Sequence, residues 1–305
     1  MRVDVFNKTV GLLNKDHPSS IPEKLEDKSP TTALSEATNV FVDNFGYITS
    51  YPSNTSIDTG SWHSLFSHNG VTLGCENGEV KIINYKEEGS IFDRFNTGIL
   101  STSRLSYAAV NDDIYFVSND CYGRISGGAI VPWVVDPILR DSNKSYIGPF
   151  AGSCIEFHLS RIWIAIDNLL FFSEPLAFGS FDIANNFVML PGEIKDIASV
   201  SSGIYIATSI GLYFMAGLSP DEFSIKKVID KKCSNGCFSR PLSGLYISKQ
   251  ENDIGVLFVG EDDLFYCSSS ASINQLTPNV TIPSISGVAH SFMFKDFIIF
   301  TIGNE

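Results

Sequence analysis

Charge is sparse along this 305-residue chain, and cations are the scarcer sign. Only 18% of the residues are charged, with 21 Lys and Arg against 34 Asp and Glu, for a formal net charge of −13. A surface this poor in cations repels phosphate backbones and anionic membranes, which excludes general nucleic-acid binding through a basic face. No apolar run approaches the ~18 residues of a membrane-spanning helix. The opening Met1-Arg2-Val3-Asp4-Val5-Phe6-Asn7-Lys8 lacks the uninterrupted apolar stretch of a signal peptide, so synthesis and function on the cytosolic side are expected. Against that background the sequons at Asn7, Asn54, Asn143 and Asn279 carry little meaning.

Catalytic and metal signatures are missing too. H-E-x-x-H, the phosphate-binding G-x-x-x-x-G-K-[ST], G-x-S-x-G, a strand-linked G-x-G-x-x-G and the EF-hand spacing do not occur. Of six cysteines, Cys75, Cys121, Cys154 and Cys267 are scattered singly, as small buried side chains would be. Cys233 and Cys237 form C-x3-C with no second pair and no nearby His, short of the four ligands a structural zinc normally takes. A local disulfide is not expected in a reducing compartment. His17, His63, His68, His158 and His290 have no matching partners in sequence, and structural roles are expected for His158 and His290, which flank apolar strands. No catalytic, cofactor-binding or metal-ligating residue is therefore expected, and the chain is read as a non-enzyme.

What the chain does have is apolar and aromatic mass. Hydrophobic residues reach 44% and aromatics 12%, including 23 Phe and 11 Tyr. That composition builds a large core and excludes both disorder and a collagen-like fibre. With Ile, Val, Ser, Asn and Gly it favours strands and turns over helices.

From residue 61 onward an apolar strand, a polar turn, a second apolar strand, another turn and a third strand recur. The second strands of successive copies begin at Val71, Ile114, Ile162, Ile204, Val256 and Phe297, at intervals of 43, 48, 42, 52 and 41 residues. Turns such as His68-Asn69-Gly70 and Glu76-Asn77-Gly78 carry hairpin chemistry. The first strand of the fifth copy is read at residues 245–247. Second strands such as Ile204-Tyr205-Ile206-Ala207 are apolar on consecutive positions, as strands covered on both faces must be. Short antiparallel units of about 40–50 residues are the rhythm of β-propeller blades. The predicted fold is thus all-β, a β-propeller of about six blades over residues 39–305. The sixth copy stops after its second strand, and the orphan hairpin at 39–50 is expected to close the ring on the strand at 297–302. Residues 1–38 form a short, mostly irregular arm with one helix candidate from Ser29 to Thr38, Pro30 at its first position. The arm is expected to pack on the propeller or on a neighbouring subunit.

Some residues invite functional readings. Asp112-Asp113 and Asp262-Asp263 sit at corresponding turns, where Asp either ligates calcium or, more commonly, bonds its own turn. Trp163 lies within an apolar strand and reads as core, while Trp133 is the better candidate for an exposed contact.

The segment Ala33-Leu34-Ser35-Glu36-Ala37-Thr38-Asn39-Val40-Phe41-Val42-Asp43-Asn44-Phe45-Gly46-Tyr47-Ile48-Thr49-Ser50-Tyr51-Pro52 resembles the N-terminal region of tail-nozzle propellers from short-tailed bacteriophages. The family's Arg-Pro-Gly-like turn reads Tyr51-Pro52-Ser53 here, and Gly11-Leu12-Leu13-Asn14 is similar to the family's opening. The resemblance implies a structural virion protein assembled in the host cytoplasm, a homo-oligomeric ring of the tail nozzle or head-to-tail channel. Its partners would be other tail or connector proteins, and it would retain DNA and pass it on ejection without reading sequence. The alternative is a ligand-binding or glycan-processing propeller with an axial site.

Overall fold

A computed structural model of the protein describes residues 60–83, 96–136, 144–239, 254–260 and 263–276 in full. It describes the backbone alone at 84–85, 92–95 and in the strands at 9–12, 32–34, 40–42, 48–50, 242–243, 288–294 and 297–303. Strand β1 (Thr9–Leu12) pairs in parallel with β2 (Thr32–Leu34), and β3 (Val40–Val42) pairs with β4 (Ile48–Ser50) as an antiparallel hairpin. The expected helix over 29–38 is therefore corrected at its centre: Thr32-Ala33-Leu34 is extended. The β-branched Thr32 favours a strand, and an isolated helix of that length nucleates poorly. Residues 29–31 and 35–38 lie outside the described residues, as does the 43–47 turn.

The first sheet holds β5 (Trp62–His68), β6 (Val71–Glu76), β7 (Glu79–Tyr85) and β8 (Phe92–Leu100) in sequence order. The second holds β9 (Ser106–Val110), β10 (Asp113–Val117), β11 (Tyr122–Ser126) and β12 (Ala129–Val131). In the third, β13 (Cys154–His158), β14 (Arg161–Ile166) and β15 (Leu169–Glu174) are followed by β16 (Ala177–Phe181) and β17 (Phe187–Met189), both paired to β15. The fourth contains β18 (Ile194–Val200), β19 (Gly203–Thr208), β20 (Gly211–Ala216) and β21 (Ser224–Ile229). The fifth contains β22 (Leu242–Ser243), β23 (Ile254–Val259), β24 (Leu264–Cys267) and β25 (Ile273–Gln275). A final hairpin joins β26 (Val288–Phe294) to β27 (Phe297–Gly303). All six second strands stand where the repeat placed them.

Two turns show why these sequences reverse so tightly. Asn69 and Gly70 have φ of 45° and 77°, and Asn77 and Gly78 have 52° and 79°. Positive φ at both central residues is the type I′ geometry whose twist matches the flanking strands.

The core lies between the sheets, not within one. Along β10, Ile114 and Phe116 pack with Leu73, Cys75 and Val80 of the first sheet, while Tyr115 and Val117 pack with Ile162 and Ile164 of the third. Along β19, Ile204 and Ile206 face Trp163 and Ala165, while Tyr205 and Ala207 face Val256 and Phe258. A period-2 strand with both faces covered needs apolar residues at every position. Successive antiparallel sheets of four strands, five in the third, stacked face to face in chain order are propeller blades, and the chain has a β-propeller fold.

One expectation shifts. The inner partner of β23 in the fifth blade is Leu242–Ser243, extended by a Phe238↔Phe258 bridge, ahead of the 245–247 segment, which lies outside the described residues. The hairpins β3–β4 and β26–β27 each form their own ladder, and no ladder between them is among the described pairs.

Candidate functional site at the blade axis

The inner strands converge on a cavity of about 380 Å³, lined by residues 64–66, 104–109, 155–157 and 196–199 with Gly236, Phe238 and Ser239. Its walls carry a repeated polar device. Ser64 Oγ accepts the Leu105 N–H of the next blade at 2.9 Å, and Ser106 Oγ accepts that of Ile155 at 3.1 Å. Glu156 Oε2 accepts from Ser199 N at 3.4 Å, and Asp196 Oδ2 from Phe238 N at 3.0 Å. Four side-chain oxygens thus staple each of the first four blades to its successor. An inner strand has a neighbour on one side only, and these bonds satisfy donors that would otherwise be stranded at the axis. Ser239 continues the series, accepting Leu257 N of its own blade at 2.8 Å.

The two carboxylates are fully engaged. Glu156 Oε1 also accepts the Phe157 N–H at 2.9 Å, and Asp196 Oδ1 that of Ile197 at 3.1 Å. Removal from bulk water pushes Glu156 up to about 7, against the pull of its two N–H donors and with repulsion from Asp196 adding to the rise. Asp196 is also raised by burial, while the Arg104 charge and the N–H groups of Phe238 and Ile197 act the other way.

Glu156 supplies a pH prediction. A carboxyl held above its unfolded value binds a proton in the folded chain where the unfolded chain has lost it. Its favourable contribution is present below the unfolded value near 4.5 and is lost as pH rises through about 7. Glu156→Gln should therefore gain on the order of 2 kcal/mol relative to the parent between pH 5 and pH 8. His158, pushed down to about 4 by burial, acts in the opposite sense below its usual value. The difference between the two proteins, measured by denaturant titration at each pH, isolates Glu156. A difference independent of pH would contradict the assignment.

The residues singled out by sequence fall elsewhere. Asp113 pairs with Arg124 Nη2 at 2.6 Å, and Asp112 accepts Asn69 Nδ2 at 3.0 Å. Asp263 holds Lys231 Nζ at 2.6 Å and Gln275 Nε2 at 2.8 Å, while Asp262 lies outside the described residues. These carboxylates tie turns and blades, and no cluster able to hold a metal occurs among the described residues. Trp133 corrects the expectation of an exposed contact. It is 7% exposed, its ring lies 5.0 Å from that of Tyr115, and its Nε1 donates to Phe178 O at 3.0 Å. An amphipathic ring at a blade seam buries its face once its N–H has a partner. Trp163 is core, as read. Burial raises the thiols of Cys154, Cys237 and Cys267, away from thiolate chemistry.

The belt residues escaped sequence reasoning because nothing local sets them apart from the other polar residues of their strands. The signal was their spacing: Ser64, Ser106, Glu156 and Asp196 stand 42, 50 and 40 residues apart, in step with the blades.

No family model matches the chain, and no curated protein matches it. Among solved structures, the WD40 beta propeller domain of Doa1 is 10% identical, with a TM-score of 0.43 over 76% of this chain and 72% of that one. The Neurospora crassa Pan2 WD40 domain is 9% identical, with a TM-score of 0.45 over 75% of this chain and 67% of that one. BBS1N, solved in complex with ARL6DN, is 11% identical, with a TM-score of 0.48 over 83% and 81%. Each is a likeness of architecture, and none bears on activity or partners.

Proposed function

We propose that the chain is a non-catalytic structural ring component of a bacteriophage tail, a nozzle or a head-to-tail channel ring through which DNA is retained and ejected. The observation that supports a scaffold is the axial belt, in which Ser64, Ser106, Glu156 and Asp196 are spent on blade-to-blade bonds. A carboxylate with both oxygens committed to backbone N–H groups is poorly placed to serve as nucleophile or general base. The tail assignment rests on the resemblance of residues 33–52 and on an acidic surface to which DNA would not adhere. An axial cavity of about 380 Å³ is far too small for a duplex, so the channel would be the one enclosed by several copies. Among the described residues no helix is long and apolar enough to cross a membrane.

Negative-stain imaging of the purified chain, alone and in virions, tests the reading. Rings with an open lumen, together with background turnover on glycosidase, esterase and phosphatase substrates, are expected. Persistent monomers with a turnover that vanishes on replacing one acidic residue would overturn it.

A further inference from the structure

We propose that the axial cavity is a binding site for a small monocarboxylate with an apolar body, gripped through Arg104. Arg104 lines the cavity, and its Nε is sealed from solvent with no hydrogen-bond partner. A buried guanidinium donor left unpaired is costly, and native structures rarely carry one without an ion, water or ligand to meet it. The two acidic side chains of the cavity do not meet it: all four of their oxygens accept backbone N–H groups. No ion pair joins Arg104 to either of them among the described residues. The guanidinium is thus the charged group at the axis with donor capacity to spare. Nε is closed off, but the residue is only partly covered, so a guest reaches the guanidinium from its outer N–H edge.

The surroundings define the guest. A planar fork of N–H donors matches a carboxylate in a bidentate pair. Glu156 and Asp196 close by oppose negative charge, and they oppose a phosphate dianion about twice as strongly as a monoanion. Phe66, Ile155 and Phe238 supply apolar wall beyond the polar end, and about 380 Å³ suits a compact molecule. This site goes beyond the scaffold role and stands or falls apart from it.

Benzoate titrated calorimetrically into the full chain tests the proposal, with benzamide as the neutral counterpart and inorganic phosphate in parallel. Benzoate is expected to bind at millimolar concentration or below and to raise the melting temperature. Benzamide and phosphate should each bind about tenfold more weakly or worse. Arg104→Met should cost at least about tenfold in benzoate affinity with the circular dichroism spectrum retained. If that variant does not fold, Arg104→Lys, which keeps the charge and loses the fork, should still weaken benzoate several-fold. Absence of benzoate binding, equal binding of benzamide, tighter binding of phosphate, or unchanged affinity in the folded variant would each overturn the proposal.

Discussion

Trp163→Ala is expected to lower the stability of the protein by about 4 kcal/mol, the largest effect of any single truncation considered. Trp163 has no exposed surface and sits at the seam of the third and fourth blades, against Ile204 and Ile206. Its ring lies 4.8 Å from that of Phe172 and 5.6 Å from that of Phe223, and its Nε1 donates to His158 O at 3.1 Å. Truncation leaves a cavity between two sheets that cannot collapse without breaking their ladders, and it removes the indole donor from the His158 carbonyl. Trp163→Phe keeps most of the volume and loses only the bond, so about 1–2 kcal/mol is expected. Urea denaturation followed by circular dichroism measures both. A loss under about 1 kcal/mol for the alanine variant would mean that the seam is not packed as described.

Asp196→Ala should cost about 3 kcal/mol, and Asp196→Asn about half of that. The carboxylate is 6% exposed and accepts the Ile197 and Phe238 N–H groups, the second from the next blade. Alanine leaves two buried donors unpaired, at roughly 1–3 kcal/mol each, partly offset by removing a carboxylate that burial already disfavours. Asparagine keeps one acceptor oxygen and sheds the desolvated charge, but its amide nitrogen cannot accept and leaves the other N–H unpaired. If the belt staples the blades, the alanine variant loses clearly more stability than the asparagine variant. Equal effects at pH 7 would show that the charge near Arg104, not the acceptor, is what matters.

The six second strands were legible because a strand covered on both faces writes its burial into consecutive residues, as in Ile204-Tyr205-Ile206-Ala207. The fourth strands were not. In β21 the residues from Ser224 to Lys227 are all exposed, and Lys226 and Lys227 blunt an edge against further pairing, which reads in sequence as a loop. The helix expected at 29–38 followed local capping cues that pairing with Thr9–Leu12 overrides. Trp133 looked exposed because the groups that cover and pair it, the Tyr115 ring and the Phe178 carbonyl, are not its neighbours in sequence. The axial belt was visible only as a spacing, since nothing local distinguishes Ser106 from a serine facing water.

Hydrogen exchange at single amides tests most directly whether the blades are joined at the axis. In inner strands that border a wet channel, the N–H groups of Leu105, Ile155, Ser199 and Phe238 would be open to solvent. With Ser64, Ser106, Glu156 and Asp196 accepting them, they should exchange as slowly as the amides of the β19–β20 ladder, and Asp196→Ala should release Phe238 selectively. Exchange of all four at the rate of the exposed turn amides at Asn69 and Asn77 would contradict the stapled axis.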